Sequence, residues 1–466
     1  MSPAAIALNR FGLGARPDDA APTNPQAWLI AQFDRFDVRP AGYAALEDAG
    51  AAVVRYREMQ RENRQMKAQD AAMNPAPDAA GLAVKPEKGD NPARQDLQKL
   101  YRAGVSARMD AALATQAPFV ERMVHFWSNH FCISTENAPV TGFAAAYERD
   151  AIRPHVLGRF SDMLLAAEQH PAMLIYLNQL GSVGPDSMAA MRAGDKKRGL
   201  NENLAREIME LHTLGVRSGY TQADVTEFAR ALTGWSVAGQ YGGAGDSDSY
   251  TFRERQHEPG ARTILGKRYA DGGQDQARAV LIDLARAPAT ATHIATKLAR
   301  HVAGDEPSLA MVARLAHAFT ASDGDLPTVY RALIQSPEAW VSAPTKFKTP
   351  WEWTVSSLRG LGLRQTGELQ IAAMQTELGQ RVWKPGAPAG WDDVAASWAG
   401  PDALYRRVEL APRLTAPIAE TVDARVLAPR IMPASLGNAT TEQIARSESP
   451  AGALALMLVS PEFLRR

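Results

Sequence analysis

The chain has 466 residues, enough to bury a large core, and 45 % of them are hydrophobic, as in ordinary soluble globular proteins. Lys plus Arg and Asp plus Glu both number 51, so a net charge of zero offers no electrostatic case for nucleic acid or a membrane surface. The single cysteine, Cys132, excludes an intrachain disulfide, and no apolar run approaches the roughly 20 residues that cross a bilayer.

The opening MSPAAIALNRFGLGARP lacks the basic start and long apolar stretch of a signal peptide, which points to the cytoplasm. Gly12, Gly14 and Pro17 break any helix there. A helix is predicted over 25–36, with Trp28, Leu29 and Phe33 on one face. An exposed helix over 44–72 leads to 73–93, a stretch with four prolines and little apolar content that reads as a mobile loop. Such a loop is either a tolerated insertion or a lid over a pocket. Helical pattern returns over 94–115.

Residues 118–131 predict a strong helix in which Phe119, Met123, Phe126, Trp127 and Phe131 share a broad arc. His130 lies inside that arc and His125 opposite it. His130 is therefore a hydrogen-bonded core residue, or else a ligand or base set in a low-dielectric wall. The 143–153 helix carries Glu148, Arg149, Asp150 and Arg153; Pro154 disfavours helix before it, and His155 follows. A further helix over 162–169 ends at His170-Pro171, and 181–198 is a polar loop.

The most sharply punctuated stretch is 199–235. A first helix is predicted over 202–214, with Asn201 as N-cap and Gly215 as its left-handed stop. Leu204, Ile208 and Leu211 form its buried stripe, while Glu207 and Glu210 share another. At about 100° per residue His212 falls about 140° from Glu207. Glu207, Glu210 and His212 on one regular helix thus cannot meet at one ion. A second helix starts at Thr221, whose spacing to Asp224 is that of a capping box, and stops near Gly234. The pair reads as an antiparallel αα-hairpin.

Beyond Trp235 the chain turns Gly- and Asp-rich over 238–249, with β-prone pieces at 250–252 and 263–265 that predict a small hairpin. Asp246 and Asp248 resemble half a calcium loop but lack its closing Glu. Amphipathic runs follow at 274–303 and 307–320. The 383–391 segment, WKPGAPAGW, is a rigid aromatic loop, either packing or the wall of a ligand cleft. Residues 401–466 are helical with prolines between segments.

Several of these stretches together resemble the bacterial DUF1800 family, a domain of unknown function. They are LNRFGLGARP at 8–17, HFWSNHF at 125–131, YERDAIRPH at 147–155, HPAML at 170–174, GLNENLAREIMELHTLGV at 199–216, YTQADVTEFARALTGW at 220–235, HIATKLARHV at 293–302 and LIQSPEAW at 333–340. The resemblance covers nearly the whole chain and implies a large, mostly helical protein without implying an activity. Family members often occur beside an exported sulfatase-like family, DUF1501, so the resemblance implies such a chain as partner. Co-export with that partner would place this chain in the periplasm.

The elements predict a mainly α protein: a large multi-helical bundle of αα-hairpins with one small β excursion near residues 238–266. We expect an N-terminal segment over 1–120, a core over 118–362 that carries the motifs, and a C-terminal segment over 363–466 packed on it. Two functional readings follow. In the first, a binding or accessory module, charged residues pair internally to fix helix register, as Arg149 and Arg206 with Glu148, Glu207 or Glu210. A concave surface then takes a partner protein or a glycan. In the second, a hydrolase or lyase, carboxylates and histidines of residues 125–212 do metal-assisted or acid/base chemistry. The catalytic candidates are Glu207, Glu210, His130 and Asp150; the candidates for a divalent metal are His130, His155 and Glu207. No Walker, Rossmann or G-x-S-x-G fingerprint is present. The family's neighbourhood favours the first reading.

Overall fold

Proline and short polar side chains fix where the helices begin. Pro118, Pro288, Pro350 and Pro401 each occupy the first turn of a helix, where the missing N–H costs no hydrogen bond. Ser308, Asp325 and Thr349 cap theirs by accepting from a backbone N–H three residues on. The computed structural model describes residues 1–73, 92–193, 199–238 and 249–466. Within them the protein is mainly α-helical, and the only sheets are two ribbons of two strands.

Both ribbons fall in the expected β excursion. Trp235–Val237 pairs antiparallel with Tyr250–Phe252, and Arg262–Ile264 pairs with Lys267–Tyr269. The second is closed by Leu265 and Gly266, both left-handed at φ 50° and 75°, which suits a two-residue hairpin turn. One hairpin was expected and two ribbons are present. Asp246 and Asp248 lie outside the described residues, as do 74–91 of the expected loop and 194–198.

The two helices of the 199–235 stretch pack on each other. The second, Gln222–Leu232, has the full capping box: Thr221 accepts from the Asp224 backbone, and the Asp224 carboxylate accepts from the Thr221 N–H at 2.8 Å. Asp224 also accepts from the Leu265 N–H at 2.6 Å, which ties the second ribbon to the helix start. Thr221→Ala should therefore cost about 1 kcal/mol in urea unfolding. No change in midpoint would show that the cap contributes nothing.

The first helix departs from its regular expectation. Asn203–Glu207 is α-helical, but Ile208–His212 widens into a π turn, sealed where Thr213 Oγ1 donates to the Ile208 carbonyl at 2.7 Å. The N-cap is Glu202, which makes no side-chain cap bond; Asn201, expected there, lies one residue earlier and accepts from the Asn203 N–H at 2.9 Å, and Gly215 is left-handed at φ 93°. One cluster of buried apolar side chains runs through the protein from Ile6 to Leu464.

Candidate ligand-binding cleft

Four helices and a loop enclose a cavity of about 340 Å³, within the usual size range of small-molecule sites. Pro118–His130 lends it Arg122, His125, Phe126, Asn129 and His130. Pro288–Ala303 lends it His293, Lys297, Arg300 and His301. Pro92–Ala114 adds Arg108, and Pro350–Gly360 adds Trp351 and Glu352. Residues 380–394 close the remaining side with Trp383 and Trp391. The aromatic loop is thus a cleft wall.

The polar stripe on Pro288–Ala303 follows from helical spacing. Positions 293, 297, 300 and 301 share one face, while Ile294, Leu298 and Val302 turn into the core. The loop is held by its backbone. Asn129 Nδ2 donates to the Trp391 carbonyl and Asn129 Oδ1 accepts from the Trp391 N–H, both at 2.8 Å. Ser134 Oγ donates to the Pro385 carbonyl at 3.0 Å, and the Thr135 N–H to the Trp383 carbonyl at 2.8 Å. Trp383 sits at φ 49°, an uncommon conformation for a bulky residue, and its indole N–H donates to Glu148 at 3.0 Å.

Charge in the cleft is unbalanced in favour of cations. Five basic lysine and arginine side chains line it against three acids, Glu352, Asp392 and Asp393. The acids are already engaged. Glu352 pairs with Arg122 and, at 2.8 Å, with Arg466. Asp393 accepts from His301 Nδ1 at 2.7 Å and pairs with Lys346 at 3.1 Å. Asp392 accepts from Ser397 at 2.8 Å. Three of the cations, Lys297, Arg300 and Arg381, have no carboxylate partner among the described residues. Arg300 uses only Nε, on the Asp305 carbonyl at 3.2 Å, and among the described residues no carboxylate pairs with Lys297. Arg108 turns Nε to Glu148 at 3.0 Å and lays its guanidinium over the Trp351 ring, 4.6 Å from the centroid.

Lys297 has one hydrogen-bond partner among the described residues, His130 Nδ1 at 3.0 Å. His130 Nε2 faces the His212 carbonyl at 3.1 Å. A carbonyl can only accept, so Nε2 carries the proton and Nδ1 accepts from Lys297. His293 Nε2 likewise donates to the Leu211 carbonyl at 3.1 Å. The carbonyls of Leu211 and His212 both belong to the π turn, so the 199–216 stretch orients two cleft histidines through its backbone. Burial lowers the Lys297 ammonium to about 8 and, helped by Lys297, lowers His293 to about 4. Burial and the Lys297 charge hold His130 well below its ordinary value, so it is neutral near pH 7.

Of the residues singled out in the sequence, the cleft contains His130 and His125. Asp150 lies elsewhere, held by Nε and Nη2 of Arg149 at 2.6 and 2.7 Å. Glu207 is half-buried outside the cleft, its carboxyl pushed up by burial. Glu210 accepts from Tyr220. His155 ends the Arg153–His155 turn and is lowered by burial. Among the described residues no three His, Cys, Asp or Glu side chains are placed to hold a metal ion. Both His130 nitrogens are engaged, so the ring offers no free lone pair. The expected register pairs also differ: Arg206 pairs with Glu202 at 3.2 Å, and Glu148 with Arg108. Lys297, Arg300 and His301 were missed, although their spacing in HIATKLARHV was a visible signal.

A family model described as "Protein of unknown function (DUF1800)" matches residues 6–465. No curated protein and no solved structure matches the chain.

Proposed function

The chain belongs to the DUF1800 family, and we propose that it is a binding module whose cleft takes a small organic anion with a flat face. The observation that carries this is Lys297, a cation in an aromatic-walled cavity with an imidazole, not a carboxylate, as its partner. An anion entering there neutralises Lys297 and the outer nitrogens of Arg300 without displacing any internal pair. Trp351, Trp383 and Trp391 supply faces for stacking. Glu148 and Asp150 support this reading over acid/base chemistry on those two groups, because both are bound to arginines.

Calorimetric titration with aromatic carboxylates, sugar phosphates and sulfate esters should find a ligand whose affinity falls about 10- to 100-fold in Lys297→Met. A hydrogen bond to a charged group contributes about 1.5–3 kcal/mol, and each 1.4 kcal/mol is about tenfold. Equal affinity in the variant, or no binding by any of the three classes, sinks the proposal. The accessory role beside a DUF1501 sulfatase-like chain rests on the family resemblance alone. Co-purification of the two chains is its test.

A further inference from the structure

We propose that Lys297 is a nucleophile, forming an imine with the carbonyl carbon of a 2-oxo acid bound in the cleft. The inference rests on the anion-binding reading, since the carboxylate of such a ligand needs the cationic wall. It goes beyond that reading by giving the cleft a covalent step. A lysine that only anchored an anion would need no neutral proton acceptor beside it. Lys297 has one, His130 Nδ1 at 3.0 Å, and the carbonyl of His212 fixes that ring so that Nδ1 is the nitrogen free of a proton. Its other two N–H groups have no partner among the described residues.

The charged and titratable groups that bear on Lys297 come from every side. They are His293 and Arg300 on its own helix, His130 and Cys132 from the Pro118–His130 helix and its end, and Asp393 from the loop, while His212 from the π turn acts on His130 and His293. Burial and the cation Arg300 favour the uncharged amine; Cys132 and Asp393 oppose them, yet the ammonium still falls to about 8. A desolvated lysine beside a second cation is the usual setting of an amine nucleophile.

The step balances without any further reactant. Lys297 gives a proton to His130 Nδ1, and the amine lone pair attacks the carbonyl carbon. The C–N bond forms, and the π pair moves to oxygen, which takes the proton back from His130. A second proton passes from nitrogen to His130 and on to the hydroxyl as the C–O bond breaks. Water leaves, and the protonated imine keeps the single positive charge that the ammonium carried. Arg300 remains available to the ligand's carboxylate, and the tryptophan walls favour an aromatic substituent.

The test uses phenylpyruvate as probe, phenyllactate as its carbonyl-free counterpart, cyanoborohydride to trap the imine, and peptide mass mapping of the full chain. Phenylpyruvate should leave a reduced adduct on Lys297, and phenyllactate should compete it away. Lys297→Arg keeps the charge and should still bind phenyllactate while losing the adduct. His130→Asn retains an acceptor opposite Nζ but no basic nitrogen. It should raise the pH at which trapping sets in, a shift that a merely structural role would not produce. If both acids bind in calorimetry and no adduct appears on Lys297, the nucleophile is overturned and the anion-binding reading stands. If neither binds, the nucleophile is overturned, and the anion-binding reading falls with it only if sugar phosphates and sulfate esters also fail to bind.

Discussion

Replacing Glu148 with alanine should destabilise the protein by about 3–5 kcal/mol, because it strands a buried guanidinium. Glu148 is fully buried and pairs with Arg108 at 3.0 Å. It also accepts from Ser128 at 2.6 Å, from Trp383 at 3.0 Å and from the Tyr43 hydroxyl. Deleting it leaves those buried donors without their acceptor, and each such group carries its own penalty. Guanidinium unfolding with an unchanged slope and a lowered midpoint is the expected result. A loss under about 1 kcal/mol would mean that Arg108 has another route to neutralisation.

The same residue sets a pH dependence. Burial alone would raise the Glu148 carboxyl, but Arg108 and the hydrogen bonds from Ser128, Tyr43 and Trp383 outweigh it and hold the carboxyl below its ordinary value. A depressed folded value means that the stability is present above the unfolded value of about 4.3 and is lost as pH falls through the folded one. The acid limb of the stability curve should therefore be shallower in Glu148→Gln. Because Arg108 and Trp383 both line the cleft, ligand affinity should fall along with stability.

Local features of the fold were legible where one short stretch decides them. Thr221 with Asp224, and Gly215 and Gly234, mark their ends through caps and left-handed backbone, and the structure has them there. The π turn at Ile208–His212 was not legible, because nothing in IMELH distinguishes a widened turn from a regular one. Yet that widening goes with the carbonyls of Leu211 and His212 meeting His293 and His130. The acidic residues close in sequence, Asp150, Glu207 and Glu210, do not line the cleft. Its chemistry depends on pairs such as Lys297 with His130, 167 residues apart, and Trp383 with Glu148, 235 apart. Such pairings are set by tertiary packing, and periodicity within one helix can show that Lys297 is on a polar stripe but not what it faces.

The 383–391 wall offers the sharpest separation of fold from function. Gly390 has φ 83°, and a Cβ there would sit 2.4 Å from the backbone oxygen of Asn129. The obstacle is a helix end, not the tip of a flexible side chain, so it cannot swing aside. Left-handed backbone costs about 1–2 kcal/mol for a residue with a Cβ, and overpacking adds about 1–3 kcal/mol. Gly390→Ala should therefore either destabilise the protein by about 2–5 kcal/mol or lift the loop away from Asn129, breaking the two hydrogen bonds to Trp391. Gly386, in the same loop, has nothing within 4 Å of its Cβ position, so Gly386→Ala is the matched control and should change little. If the wall lifts while the helices stay folded, tryptophan fluorescence shifts to the red and anion affinity drops with no change in unfolding slope. Equal stability and equal affinity in the two variants would mean that the loop is not held against the helix end, and the cleft would lose the wall on which its ligand is proposed to stack.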